Sequence, residues 1–110
     1  MKLPNSENAV VPPEKLRDYI LSPVHPVGRF KSAFFRGLGY SAEAYEKLES
    51  DLRSLLVAEA ELAKVTDFGV LYLVRGVLSG PNGRSGLIVT VWIILSGQVV
   101  PRFVTAYPEG

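Results

Sequence analysis

Apolar residues recur at helical spacing through the first half of the chain, which predicts three helices. The first spans residues 13–21 and ends before Pro23, because a residue that precedes proline avoids the helical region. The second spans residues 29–38, and the third spans residues 41–57 with Ser41 as its cap. The predicted apolar stripes are Leu16, Tyr19 and Ile20; Phe30, Ala33, Phe34 and Leu38; and Tyr45, Leu48, Leu52, Leu55 and Leu56.

The second half of the chain is rich in β-branched and aromatic residues and has the pattern of strands. Strands are predicted over residues 69–78, 84–95 and 99–107. Asn82-Gly83 and Ser96-Gly97 each have the composition of a two-residue hairpin turn. Because short turns join antiparallel neighbours, the strands are expected to follow one another as a meander.

This order predicts an α+β fold, with two to three N-terminal helices packed on a C-terminal antiparallel β-meander of three to four strands. The 110 residues are enough for a single domain, 1–110. It is divided into an extended lead-in over 1–12, a helical part over 13–57 and a sheet over 69–107. Residues 58–67 are expected to be a connector.

The composition excludes several classes of protein. Hydrophobic residues make up 47% of the chain, which supports a core, but no apolar run is long enough to span a membrane. The first eight residues do not have the pattern of a signal peptide. Cysteine is absent and histidine occurs once, so no zinc site, other metal site or cofactor is expected. Together these features favour a cytoplasmic protein.

Charge is unevenly distributed along the chain, although the net charge is only +1. Residues 15–36 hold five basic residues and one acid, whereas residues 43–67 hold seven acids and three bases. Residues 68–108 hold three arginines and no acid. This layout is either an ordinary solvated surface or a basic face that binds an anion, and nucleic acid is the leading candidate for that anion.

The two turns also predict a register for the sheet. If both are two-residue turns, Thr90 lies opposite Arg75 in one hairpin and opposite Phe103 in the next. Arginine and hydroxyl groups on a sheet face can bind phosphate, and Trp92 or Phe103 could stack a base. In this register Arg102 lies on the other face, although a one-residue slip in either turn would exchange the faces. The alternative is that β propensity alone explains these residue types. The predicted substrate-binding face consists of Arg75, Thr90, Trp92, Thr105 and Tyr107.

His25 and Lys31 are the other candidates for chemistry. Histidine is the usual general base near neutral pH, and a lysine one or two turns away could hold a phosphate. The alternative is that His25, which lies in a proline-flanked loop, only caps the backbone or faces solvent. No nucleotide-binding or serine-hydrolase motif is present.

The long strand over residues 84–95 is apolar on both predicted faces. A strand of this kind is normally covered on both sides. Because three helices can cover only one side, the other side is either covered by a second copy of the chain or another protein, or it is an open face that binds a ligand.

Three segments of the sequence resemble a known family: KLRDYILSPVHPVGRFKSAFFRGLGY, GPNGR and VTVWIILSGQVVPRFVTAYP. That family consists of short uncharacterised bacterial proteins, common in cyanobacteria, that share a domain of unknown function. The order of helices and sheet is also similar to that of the barnase/EndoU/colicin/RelE-like ribonucleases, many of which are toxins. This second resemblance implies that the scissile phosphate is surrounded by His25, Lys31, Arg75, Thr90, Arg102, Thr105 and Tyr107.

Two hypotheses follow. The first is a toxin-like, metal-independent endoribonuclease, with His25 as general base or acid and Tyr107 as proton donor. In it, Lys31, Arg75 and Arg102 stabilise phosphoryl charge. The second is a non-enzymatic partner, such as an antitoxin, an immunity protein or an assembly subunit, that buries its sheet in a homodimer or a hetero-complex. The first requires His25 or Lys31 to lie within hydrogen-bonding reach of the polar cluster on the sheet.

Overall fold

The computed structural model describes residues 1–109, except for the side chain of Phe30. Within this range, three helices are followed by a four-stranded antiparallel sheet. The predicted α+β fold is therefore confirmed. Gly110, at the end of the predicted domain, and the Phe30 side chain, in a predicted apolar stripe, lie outside the described residues.

The first helix contains an irregular turn. α1 covers Pro13–Lys15 and continues directly into a π-helical turn over Leu16–Ile20. The amide of Leu21 donates to the carbonyl of Leu16 at 2.8 Å, which is the wider spacing of a π-turn. Turns of this kind are rare and occur often at functional sites.

The other two helices match the predicted periodicity. α2 spans Arg29–Gly37 and α3 spans Tyr45–Ser54. Single 3₁₀ turns, Ala42–Ala44 and Leu55–Val57, flank α3 on either side. The hydroxyl of Ser41 accepts a hydrogen bond from the third amide after it at 3.3 Å, which confirms its capping role.

The sheet has one strand more than the three predicted in detail. Its strands are β1 (Ala60–Val65), β2 (Gly69–Ser79), β3 (Ser85–Leu95) and β4 (Arg102–Pro108), in that spatial order. The prediction of a connector over residues 58–67 is therefore wrong. Of the residues in β1, Ala60 alone is buried, so this edge strand lacks the alternating pattern that would have revealed it.

The first hairpin has a longer turn than predicted. The loop between β2 and β3 covers residues 80–84. The amide of Gly83 donates to the carbonyl of Gly80 at 3.1 Å, so Pro81 and Asn82 are the central residues of the turn. The prediction of a two-residue turn at Asn82-Gly83 is wrong. A two-residue turn there would have paired Pro81 with Arg84, but proline has no N–H to donate a hydrogen bond between strands.

This turn changes the register by one residue. Thr90 lies opposite Val74, and Arg75 lies opposite Val89. Because successive residues of a strand point to opposite faces, Arg75 and Thr90 lie on different sides of the sheet. The predicted binding face, which held both residues, is therefore not formed.

The second hairpin departs from the prediction in a similar way. The turn at Ser96-Gly97 is present, with the amide after it donating to the carbonyl before it at 2.9 Å. However, β4 begins only after Pro101, and its ladder with β3 contains an irregularity. Thr90 therefore lies opposite Ala106 and not opposite Phe103.

The helices cover one face of the sheet and enclose the core with it. Trp92 and Thr90 lie in this core with no exposed surface. The indole N–H of Trp92 donates to the Thr90 hydroxyl at 2.8 Å, and that hydroxyl donates to the Val74 carbonyl at 2.8 Å. The rings of Trp92 and Phe103 meet edge to face at 5.4 Å. The core thus satisfies these polar atoms, and Trp92 is not accessible to stack a base.

Tyr40 links the helical part to the sheet through its hydroxyl group. The side chain is buried, and the hydroxyl donates to Asp51 Oδ2 at 2.6 Å. The carbonyl oxygen of Ser79 lies 3.3 Å from the same hydroxyl. Burial and the neighbouring carboxylate both raise the pKa of Tyr40 above its ordinary value.

We expect Tyr40→Phe to lower the free energy of unfolding by about 1.5–3 kcal/mol, the usual range for a hydrogen bond to a charged group. Because folding raises the pKa of Tyr40, its contribution is complete below about pH 10 and is lost as the pH rises through the folded-state pKa. In urea denaturation, the difference in the free energy of unfolding between wild type and Tyr40→Phe should therefore shrink above about pH 10. A difference that stays constant to pH 11 would contradict this assignment.

Candidate functional site

A polar cluster lies where α1 and α2 pack beside the edge strand β4. The ammonium group of Lys31 donates to Tyr19 Oη at 2.7 Å and to Thr105 Oγ1 at 2.9 Å. The two hydroxyl oxygens lie 3.3 Å apart, so the three polar atoms form a closed triangle. We call Tyr19, His25, Lys31 and Thr105 the Tyr19 cluster.

The environment of Tyr19 favours its ionised form. Partial burial by itself raises the pKa of Tyr19, but hydrogen bonds from Lys31 and Thr105 lower it. The positive charges of Lys31 and Lys15 lower it further, and the net pKa of Tyr19 lies below its ordinary value. A phenol in this state can take up and release a proton closer to neutral pH than an ordinary tyrosine.

His25 adjoins the cluster through its ring. The ring meets that of Tyr19 edge to face, with centroids 5.0 Å apart. His25 Nδ1 accepts hydrogen bonds from the amides of Val27 at 3.0 Å and Gly28 at 2.9 Å. Because Nδ1 is an acceptor, the neutral imidazole carries its proton on Nε2. In this tautomer His25 offers an N–H donor rather than a free base.

The loop that carries His25 is held against the first helix. The hydroxyl of Ser22 accepts a hydrogen bond from the His25 amide at 3.1 Å. At the end of the loop, Gly28 packs against the backbone of Tyr19 so closely that a Cβ atom there would lie 2.1 Å from the Tyr19 carbonyl oxygen. Glycine is therefore needed at this position for the loop and α2 to approach Tyr19.

A cavity of about 560 Å³ opens beside the cluster. This volume falls within the range of about 300–1,000 Å³ that is typical of small-molecule sites. Its wall combines cationic, anionic, hydroxyl and aliphatic side chains, so it can contact both the charged and the apolar parts of a ligand. The lining residues are Glu14, Lys15, Asp18, Tyr19, His25, Val27, Val104 and Thr105.

Three of the eight predicted site residues meet in the Tyr19 cluster: His25, Lys31 and Thr105. Thr90 and Trp92 are instead part of the core. Their predicted contact with RNA is therefore not compatible with their location.

The remaining three predicted residues lie along the sheet outside the cluster. Arg75 forms ion pairs with Glu61 and with Glu109, the latter at 2.8 Å. Tyr107 is exposed and pairs with Val89, the residue that also pairs with Arg75. Arg75 and Tyr107 therefore flank Val89, which is buried.

Arg102 is at the start of β4. Its backbone pairs with Ile93 on one side and, through an isolated parallel bridge, with Val10 of the lead-in on the other. No hydrogen bond or ion pair of its guanidinium group is formed with the part of the chain that the structure describes. Its predicted catalytic role stays a prediction.

Tyr19 is a site residue that the sequence did not reveal. Its spacing places it in the apolar stripe of the first helix, where a tyrosine is an ordinary core residue. Its hydroxyl acquires a role only through Lys31, 12 positions later, and Thr105, 86 positions later. No local pattern carries that information.

Two kinds of feature are absent from residues 1–109. No group of three or more histidine or acidic side chains in this range is arranged to hold a metal ion. No helix in it has the length and apolar character required to cross a bilayer.

Comparison with known proteins gives a fold and a family match. A chain of the contact-dependent growth inhibition toxin–immunity protein complex from Klebsiella pneumoniae 342 has the same fold, with a TM-score of 0.70. The two chains are 16% identical, and the match covers 96% of this chain and 97% of that chain. No curated protein matches the sequence. The family model DUF6883, a domain of unknown function, matches residues 2–110.

Proposed function

Because the chain belongs to the DUF6883 family, a domain of unknown function, its activity must be inferred from the Tyr19 cluster, and we propose that it is a toxin-like, metal-independent endoribonuclease. It binds RNA on its basic helix and sheet face, with the scissile phosphate in the cavity beside Tyr19. The observation that carries the proposal is the hydrogen-bonded triangle of Lys31, Tyr19 and Thr105 at that cavity.

The donors of the cluster suit a phosphate group. Lys31 brings a full positive charge, and Thr105 brings a hydroxyl that can turn toward a phosphoryl oxygen. The neutral tautomer of His25 adds an N–H donor. Such donors stabilise the charge that develops on the phosphoryl oxygens in the transition state, the part that a metal ion plays in other nucleases.

RNA supplies its own nucleophile for this reaction. The ribose 2′-hydroxyl attacks the adjacent phosphorus, and the bond to the 5′-oxygen of the next nucleotide breaks. The products are a 2′,3′-cyclic phosphate and a 5′-hydroxyl end. The protein has to supply proton transfer and charge stabilisation, both of which the side chains of the Tyr19 cluster can provide.

The toxin part of the proposal is supported by the shared fold. One solved structure with this fold is a chain of a contact-dependent growth inhibition toxin–immunity protein complex. We infer that this chain likewise acts with a cognate protein partner, in the cytoplasm where RNA is found.

A second candidate function is a non-enzymatic interaction protein, and the outer sheet face favours it. Two of its leucine and valine side chains are widely exposed, Val77 at 59% and Leu87 at 46%. An apolar face of this kind is typical of a surface that binds a second copy or another protein. The apolar residues of the outer sheet face are Leu71, Leu73, Val77, Leu87, Val89, Val91, Ile93 and Leu95, and Arg75 and Tyr107 lie among them.

The test is to incubate the purified protein with total RNA and a chelator. We expect cleavage products with 2′,3′-cyclic phosphate ends, and no cleavage of the same sequence made as DNA, because DNA lacks the 2′-hydroxyl. Absence of cleavage, or equal cleavage of DNA, would refute the ribonuclease. An inactive wild-type protein would leave the interaction protein as the better account.

A further inference from the structure

We propose that Tyr19 is the proton-transfer residue of the reaction and that Lys31 returns the proton to the leaving group. This inference rests on the ribonuclease function proposed above. It gives Tyr19 the proton-transfer role that the sequence analysis predicted for His25 and Tyr107.

The hydrogen bonds of Tyr19 support this role. The Lys31 ammonium can only donate, so Tyr19 Oη is the acceptor of the 2.7 Å bond between them. When Tyr19 is ionised, the Thr105 hydroxyl can also donate to its oxygen. The phenolate therefore has two donors prepared for it, and a cavity beside it for the substrate.

The charged groups around Tyr19 act in the same direction. Lys15 on its own helix and Lys31 on α2 lie 5.6 and 5.1 Å from the centre of its ring. Two carboxylates, Glu14 and Asp18, also line the cavity, but Asp18 is paired with Arg17 at 3.1 Å. From the loop before α2, His25 contributes the edge of its ring. The cations outweigh the carboxylates, in agreement with the lowered pKa of Tyr19.

His25 is less suited to removing a proton. Its Nδ1 lone pair is occupied by the two loop amides, and its Nε2 carries the proton in the neutral ring. A proton on Nδ1 would face the amide N–H groups of Val27 and Gly28, which now donate to that nitrogen. Both hydrogen bonds would be lost, and with them the turn that holds the loop. Tyr19 is not held in this way, because its partners favour the deprotonated form.

The proton that Tyr19 removes and the proton that Lys31 donates balance over one round of the reaction. The Tyr19 phenolate takes the proton of the 2′-hydroxyl as O2′ forms its bond to phosphorus. The bond between phosphorus and O5′ breaks, and O5′ keeps the electron pair and takes a proton from the Lys31 ammonium. The proton now on Tyr19 then passes to Lys31 along the 2.7 Å hydrogen bond, which restores both groups.

The first measurement does not depend on ribonuclease activity. Tyrosinate absorbance is followed against pH in the wild type, which contains five tyrosines. We expect one tyrosine to ionise at lower pH than the others. This early step should disappear in Tyr19→Phe and move to higher pH in Lys31→Met. An early step that persists in Tyr19→Phe would overturn the proposal.

The second measurement is the pH dependence of RNA cleavage. We expect Tyr19→Phe to lower kcat by about 100- to 10,000-fold, the usual contribution of a general acid or base, with little change in KM. In the active wild type, kcat/KM should rise with pH as the early tyrosine ionises, and in Lys31→Met this rise should move to higher pH. Tyr45→Phe, which removes a hydroxyl from α3 outside the cluster, is the matched control and should retain wild-type activity.

The outcomes separate the two proposals. An active wild type whose Tyr19→Phe variant cleaves as fast as Tyr45→Phe would overturn the role of Tyr19 and leave the ribonuclease in place. An inactive wild type would overturn both. Circular dichroism of each variant distinguishes a loss of catalysis from a loss of fold.

Discussion

Replacing Lys31 with alanine is expected to lower kcat for RNA cleavage by about 100- to 1,000-fold, the usual cost of removing one group that stabilises transition-state charge. Lys31 Nζ lies 2.7 Å from Tyr19 Oη and 2.9 Å from Thr105 Oγ1, so the change removes the central donor of the triangle. It also removes the positive charge that lowers the pKa of Tyr19. The measurement is single-turnover cleavage of a short RNA with saturating enzyme.

Arg36→Ala is the matched control for Lys31→Ala. Arg36 is an exposed basic residue of the same helix, α2, but unlike Lys31 it makes no hydrogen bond to Tyr19 or Thr105. Both variants lose one positive charge from the basic face, so both should weaken RNA binding to a similar small degree. Equal losses of kcat in the two variants would mean that general charge, and not the position of Lys31, drives cleavage.

Gly28→Ala is expected to lower the free energy of unfolding by about 1–3 kcal/mol or more, the range for forcing an extra methyl group into a packed site. The added Cβ would lie 2.1 Å from the carbonyl oxygen of Tyr19 and 2.8 Å from its ring carbon Cδ1. The carbonyl oxygen is a backbone atom, so it cannot move aside as the end of a flexible side chain can. The loop must move away, which also separates the Gly28 amide from His25 Nδ1. Thermal and urea denaturation measure the loss.

Gly37, at the other end of α2 from Gly28, provides the control for this substitution. A Cβ added at Gly37 meets nothing within 4 Å, and Gly37 has helical geometry at the end of α2. Gly37→Ala should therefore stabilise the protein by up to about 0.5–1 kcal/mol, the gain of alanine over glycine in a helix. If both variants were equally destabilised, the close approach of Gly28 to Tyr19 would not be the cause.

The helices and the sheet could be predicted from the sequence because their patterns are local. The apolar stripes and the cap at Ser41 each involve a few neighbouring residues, and they indicated the helices to within a few positions. β1 was missed because it is an exposed edge strand with one buried residue, Ala60. Its pairing with β2, and not its own pattern, makes it a strand.

The candidate site was harder to predict because it depends on register and on distant contacts. Asn82-Gly83 favoured a two-residue turn, but Pro81 at the centre of the actual turn moved Thr90 to the opposite face from Arg75. One residue of slip was enough to transfer Thr90 from a predicted binding face to the core. His25 and Lys31 were identified from their chemistry alone, whereas Tyr19 needed the folded structure.

The 74 positions between Lys31 and Thr105 bear on how the protein is made. Tyr19, His25 and Lys31 are synthesised and emerge from the ribosome before β4, the strand that carries Thr105, has been synthesised. A nascent chain therefore holds three parts of the cluster without the fourth. The Tyr19 cluster can be completed only when β4 has left the ribosome and docked. Under the proposed function, RNA cleavage therefore begins only after the helices and β4 have folded together.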